Sequence, residues 1–150
     1  MNTAAALLAL TKEVRALRRQ LGKPKLAVIH GGKPKLADGE IYVGITLHED
    51  RLHHLILLPG NTKAGWEAAG RWAKAQGGVL PSRHDGLVLF RHARAQFERE
   101  AHWLDEQHAD DPSCAWFQTF DWGYQSHGGL SWELRARAVR RVPVEERSRG

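Results

Sequence analysis

A change in hydrophobic period near Glu100 constrains the fold of this chain more than any other feature. Before it, helical and extended patterns are interspersed; after it, helical spacing disappears and short alternating segments are divided by polar loops. Residues 40–47 (EIYVGITL) and 53–59 (HHLILLP) read as strands on either side of a polar turn at 48–51. Residues 65–76 (GWEAAGRWAKAQ) read as a helix with Trp66, Ala69, Ala73 and Gln76 on one face, ended by Gly77 and Gly78. Ser82 and Asp85 have the spacing of a capping box, so a second helix begins there and turns Leu87, Phe90, Ala93 or Arg94, and Phe97 inward. The expected fold class is α+β: two helices and a small mixed or antiparallel sheet with long loops, over residues 39–143.

The N-terminal segment has a different pattern. Leu7, Leu10, Val14, Leu17 and Leu21 recur at spacings of 3, 4, 3 and 4, which is a heptad seam on a helix over residues 1–21. Gly22 and Pro24 supply its stop signal. So narrow a stripe favours self-association over docking on the domain, and a homo-oligomer, preferably a trimer, is expected. Residues 22–38 hold GKPKLA twice, at 22–27 and 32–37, and read as a basic Gly/Pro linker or a hairpin turning at Gly31 and Gly32. Residues 144–150 read as a tail.

Composition removes several functional classes. A chain of 150 residues with one cysteine, Cys114, has no internal disulfide and no catalytic cysteine pair. The apolar run at 4–10 is too short to span a membrane and lacks the basic start of a secretory signal, so synthesis into the cytoplasm without membrane insertion is expected. The formal charge of +5 permits weak association with anions, but it resides largely in Lys23 to Lys35 and in the C-terminal arginines. Aspartates interleaved with the aromatic residues argue against a nucleic-acid site. His48-Glu49 with His53 misses the H-E-x-x-H zinc spacing by one residue and lies in a turn. Asp105, Glu106, Asp110 and Asp111 lack an EF-hand spacing, and Asp110-Asp111-Pro112-Ser113 reads as a turn. No cofactor or metal and no enzymatic activity are expected.

From Gly39 onward the order of signals resembles the Lcl C-terminal-like domain family, bacterial and phage modules with a C-type-lectin-like fold. The resemblance rests on Gly39 with Tyr42, Trp66 with Ala69, Gly77-Gly78 before Leu80-Pro81-Ser82, Trp103, Ala115-Trp116 with Phe120 and Gly123, and residues 137–141 (RAVRR). It departs at 102–105, where many members carry Tyr-Trp-Ser-Ser, and at Gly65, where they carry Thr or Ser. It implies a C-type-lectin-like domain behind the oligomerising helix, similar in architecture to the variable proteins that retroelements diversify. It also assigns Trp116 and Phe120 to the core.

Residues 114–125 (CAWFQTFDWGYQ) concentrate five aromatic side chains. Strand alternation sends Trp116, Gln118 and Phe120 one way, and Ala115, Phe117, Thr119 and Asp121 the other. With Trp116 and Phe120 inward, and Trp66 and Trp103 buried elsewhere, Phe117, Trp122, Tyr124 and Trp132 remain on the outer face or in the Gly-rich loop that follows. Trp and Tyr offer apolar area with a polar handle at low ordering cost, the composition of binding hot spots. Together with Asp105, His108, Asp121, Ser126 and His127, they form the expected ligand-binding surface. Its expected partner is a protein or cell-surface ligand, with action at a virion or cell surface; the competing reading is a phage or prophage effector that binds and inhibits a host macromolecule. An arginine of the last segment, Arg137 or Arg140, is expected to pair with a carboxylate such as Asp121.

Overall fold

A computed structural model describes residues 3–20, 28–29 and 32–147 of the chain. The chain divides into two compact units, residues 31–144 and a smaller one of 1–30 with 145–150. In the smaller unit, helix α1 (Thr3–Gln20) follows the expected heptad segment and leaves Leu7, Leu10 and Val14 exposed. Leu21 and the first GKPKLA copy lie outside the described residues. Residues read as linker and tail form a short antiparallel ladder, β1 (Val28–Ile29) on β10 (Glu146–Arg147).

The larger unit is α+β. Strands β2 (Ile41–His48) and β3 (Arg51–Leu57) form a hairpin closed by Glu49 and Asp50, both at positive φ, so the turn is tighter than the polar segment suggested. Two successive left-handed residues match the right-handed twist of the strands they join. β9 (Val139–Pro143) completes a three-stranded antiparallel sheet beside β3. A second sheet has the order β4-β8-β5-β6-β7, from β4 (Thr62–Ala64), β5 (Ala101–Gln107), β6 (Cys114–Thr119), β7 (Gln125–Gly129) and β8 (Leu134–Ala136). Only the contact of His102 in β5 with Arg135 in β8 is parallel among its described pairings.

Local chemistry sets the end of one helix of this unit and the start of the other. Helix α2 (Trp66–Ala75) stops at Gly77, whose φ of +85° is open to a residue without a Cβ. Gly77 N–H donates to Lys74 O and Gly78 N–H to Ala73 O, the paired bonds of a Schellman motif. Ala69 and Ala73 are buried as expected, but Gln76 is the exposed C-cap, and the half-buried Trp72 packs on the core in its stead. Helix α3 (Arg83–Ala93) carries the full capping box: the Asp85 N–H donates to Ser82 Oγ and the Ser82 N–H to Asp85. Its inward stripe is Asp85, Gly86, Leu89 and Ala93; Leu87, expected inside, is 53% exposed. The cause is Asp85, which turns into the core to meet Arg141, and Gly86, where a Cβ would lie 2.6 Å from Gln118 Oε1.

α3 packs on β2 and on β5 and β6, around a cluster of Val43, Leu55, Leu89, Phe97 and Phe120. α2 packs on β4, β5 and β8, around Leu58, Ala69, Leu80, Trp103 and Ala136. The five-stranded sheet is therefore covered on both faces, and this decides which side chains remain for a ligand. No described helix is long and apolar enough to cross a membrane.

Candidate functional site

The β6–β7 hairpin holds most of the aromatic residues singled out in the sequence. In its register Trp116 is opposite His127, Gln118 opposite Gln125, Ala115 opposite Gly128, and Phe117 opposite Ser126. Directly paired residues share a face. Trp116, Gln118, Gln125 and His127 thus lie on the α3 side; Ala115, Phe117, Ser126 and Gly128 lie on the α2 side. Two expectations are modified here. Phe117, expected outward, packs half-buried against the α2 cluster, and Trp116, expected in the core, is likewise only half-buried, covered by Arg83 and His108 rather than by core side chains. Because a helix covers each face, alternation separates the two sets without making either one the solvent face. Phe120 is buried as expected, stacked on Phe97 with centroids 3.9 Å apart.

Trp116 is the centre of a cluster. The Arg83 guanidinium sits 3.7 Å above its ring, His108 stacks at 5.3 Å, and His127 lies 4.3 Å from His108. Arg83 is held by Gln125, whose Nε2 donates to Arg83 O at 2.7 Å and to Gln118 Oε1 at 2.8 Å. Gln118, fully buried, donates in turn to Gly86 O at 2.6 Å. This relay ties the start of α3 to the hairpin and fixes the face on which Trp116 stands. Sequence reasoning found His108 and His127 but missed Trp116 and Arg83; no local signal brings Arg83 onto a strand 33 residues away.

The hairpin tip holds Asp121, Trp122 and Tyr124. Its backbone is pinned: Thr119 N–H donates to Tyr124 O at 2.9 Å, and Trp122 N–H donates to Asp121 Oδ1 at 2.6 Å. That bond, with one from the Thr119 hydroxyl, holds the Asp121 carboxyl below its ordinary range. Gly123, at φ +81°, lies so close to Phe90 that a Cβ would come within 2.6 Å of the ring. The side chains nevertheless point away: Trp122 is 84% exposed and Tyr124 56%. Beside them opens a cleft of about 630 Å³ between the tip and residues 94–99, with Phe97 and Phe120 at its base and Arg94 and Arg99 on its wall. Among the described residues, neither arginine has an ion-pair partner.

The other expected site residues lie elsewhere. Trp132 lies over Gly128 and Gly129, where added Cβ atoms would meet its ring at 2.6 and 3.0 Å, and is about half-exposed; the partly covered Ser126 is on the same, α2 side. Asp105 is exposed, its N–H donating to Pro81 O. The nine expected residues thus form three groups rather than one patch: the tip, the His108 and His127 face, and the Trp132 face, with Asp105 outside them.

The arginines of the last segment are also placed differently from expectation. Arg140 forks onto Glu40 at 2.7 and 2.8 Å, Arg141 onto the buried Asp85 at 2.9 and 2.5 Å, and Arg135 pairs with Glu100. None of them reaches Asp121, and their charge is largely neutralised before a polyanion could use it. Asp111 takes the Ser113 hydroxyl and N–H, as the expected turn requires, and also the Cys114 thiol, whose pKa is raised by partial desolvation and by this carboxylate. A thiol so held is a poor nucleophile. No group of three or more His, Cys, Asp or Glu that could hold a metal ion occurs among the described residues. Comparison with family models, with curated proteins and with solved structures returns no match.

Proposed function

We propose that this chain is a non-enzymatic binding protein that contacts a protein partner through the β6–β7 hairpin tip. One observation carries the reading: Trp122 is 84% exposed on a backbone locked by Gly123 against Phe90. A large ring held in water by a rigid turn loses little ordering entropy on contact, and its area is regained when a partner covers it. Tyr124 and the cleft beside Arg94 and Arg99 extend the surface, so the favoured partner segment joins apolar side chains to a carboxylate. The two helices and mixed sheets suit a C-type-lectin-like scaffold like that of the Lcl C-terminal-like family, where loops carry recognition. Helix α1 would join copies of the chain and raise avidity for a repeated target.

A displayed random-peptide library selected on the full chain tests the proposal. Enriched peptides should lose about 1 to 3 kcal/mol of affinity with Trp122→Ala or Tyr124→Ala, while the melting temperature stays unchanged. Binding to both variants as tight as to the wild type would move the contact surface away from the tip.

A further inference from the structure

The strongest unexplained group lies outside the hairpin tip. A second cavity, of about 240 Å³, is lined by Asn61, Gln96, Glu98, His102, Arg135 and Arg137 together with Ala95 and Phe97. Arg137 differs from the other three arginines of its segment. Its Nη1 donates to Gln96 O at 2.5 Å and its Nη2 to Leu58 O at 3.0 Å, but both acceptors are neutral carbonyls. Its Nε is buried and is the one buried side-chain nitrogen or oxygen without a hydrogen-bond partner among the described residues. A guanidinium has five N–H donors and cannot escape its charge by deprotonating at ordinary pH. Partial burial without a counter-charge is costly, and burial accordingly pulls the Arg137 pKa down.

The Phe97 ring, 5.4 Å from the guanidinium carbon, supports the cation without neutralising it. Arg135 adds positive charge on the same wall, although Glu100 already pairs with it. Asn61 supplies an amide donor. His102 donates Nδ1–H to Glu100 O, and burial keeps its ring neutral at ordinary pH. Glu98 is the acidic side chain of the lining, so its charge opposes that of an entering anion.

We propose that this cavity binds a small oxyanion, carboxylate or phosphate, that pairs with Arg137. The site is independent of the hairpin-tip reading, since the two cavities share only Ala95 and Phe97. Sodium phosphate and sodium acetate, each titrated into the full chain against sodium chloride at matched ionic strength, provide the test. The readout is the ¹⁵Nε–¹Hε resonance of Arg137. A saturable shift is expected; response to phosphate alone identifies a phosphate-bearing ligand, and response to acetate a carboxylate. Because the Arg137 anchors stay intact in them, Glu98→Gln and Asn61→Asp serve as folded controls. The first should tighten binding about fivefold and the second weaken it about fivefold, the effect of one unit charge a few ångströms away in water. A linear, chloride-like response, or affinities unchanged in both variants, overturns the proposal.

Discussion

Acidification should destabilise the larger unit mainly through His102. Its ring is 3% exposed and stands edge-on to Phe97 and Phe120, with centroids at 5.1 and 5.0 Å. Burial is the largest cause of its depressed pKa; the bond to Glu100 O opposes it, and Arg137 and Arg135 add repulsion, leaving the value at about 4 against an ordinary 6.5. Below 6.5 the unfolded chain takes up a proton that the folded imidazole refuses, so stability falls with pH until the folded value is passed. Linkage places the loss at about 2 kcal/mol between pH 7 and 5 and about 3 kcal/mol by pH 4. Urea unfolding at stepped pH on the wild type and on His102→Asn isolates this contribution. Asparagine keeps a donor for Glu100 O but does not titrate. The variant starts from lower stability because it leaves a void, yet its curve should be flatter by about 3 kcal/mol over that interval. His54, also shifted down by burial, contributes equally to both proteins. Glu40, held down to about 2 by Arg140, gives up its contribution only as the pH falls through the window from 4.5 to 2. Parallel curves for the two proteins would refute the assignment to His102.

Arg141→Met should cost about 3 to 5 kcal/mol at pH 7, because it strands a fully buried Asp85 carboxylate with only Thr46 and Ser82 as donors. Chemical unfolding should show that deficit shrinking as the pH falls and the orphaned carboxyl takes up a proton; a deficit independent of pH would deny the ion pair its role. Leu10→Asp, at an exposed seam position of α1, should reduce the mass found by light scattering from that of a trimer to that of a monomer. An unchanged mass, or a monomeric wild type, would remove α1 from the assembly.

Elements stabilised by neighbouring residues were legible in the sequence. The α3 capping box needs only Ser82 and Asp85, and the end of α2 needs only the freedom of Gly77 at φ +85°. The tip was legible for the same reason: Asp121, Trp122, Gly123 and Tyr124 form a local turn, and two exposed rings there need no distant partner to explain them. Faces were harder to read. Leu87 and Leu89 both suit a helix, and the choice of Leu89 rests on Asp85 meeting Arg141, 56 positions away. Trp116 and Phe117 are adjacent rings on opposite faces of one strand, and what covers each of them depends on where α2 and α3 come to rest.

The amino-acid sequence by itself therefore determined the α+β class, the start of α3 and the end of α2, the hairpin-tip aromatics and the absence of an internal disulfide or of cysteine-pair chemistry within one chain, since these depend on composition and short-range bonding. Tertiary structure alone decided that Trp116 joins His108 and His127 under Arg83, that Phe117 faces the α2 core, and that Arg137 has no counter-ion among the described residues. Each of those outcomes depends on distant segments packing onto both faces of one sheet, and long-range burial leaves no periodic trace in the chain.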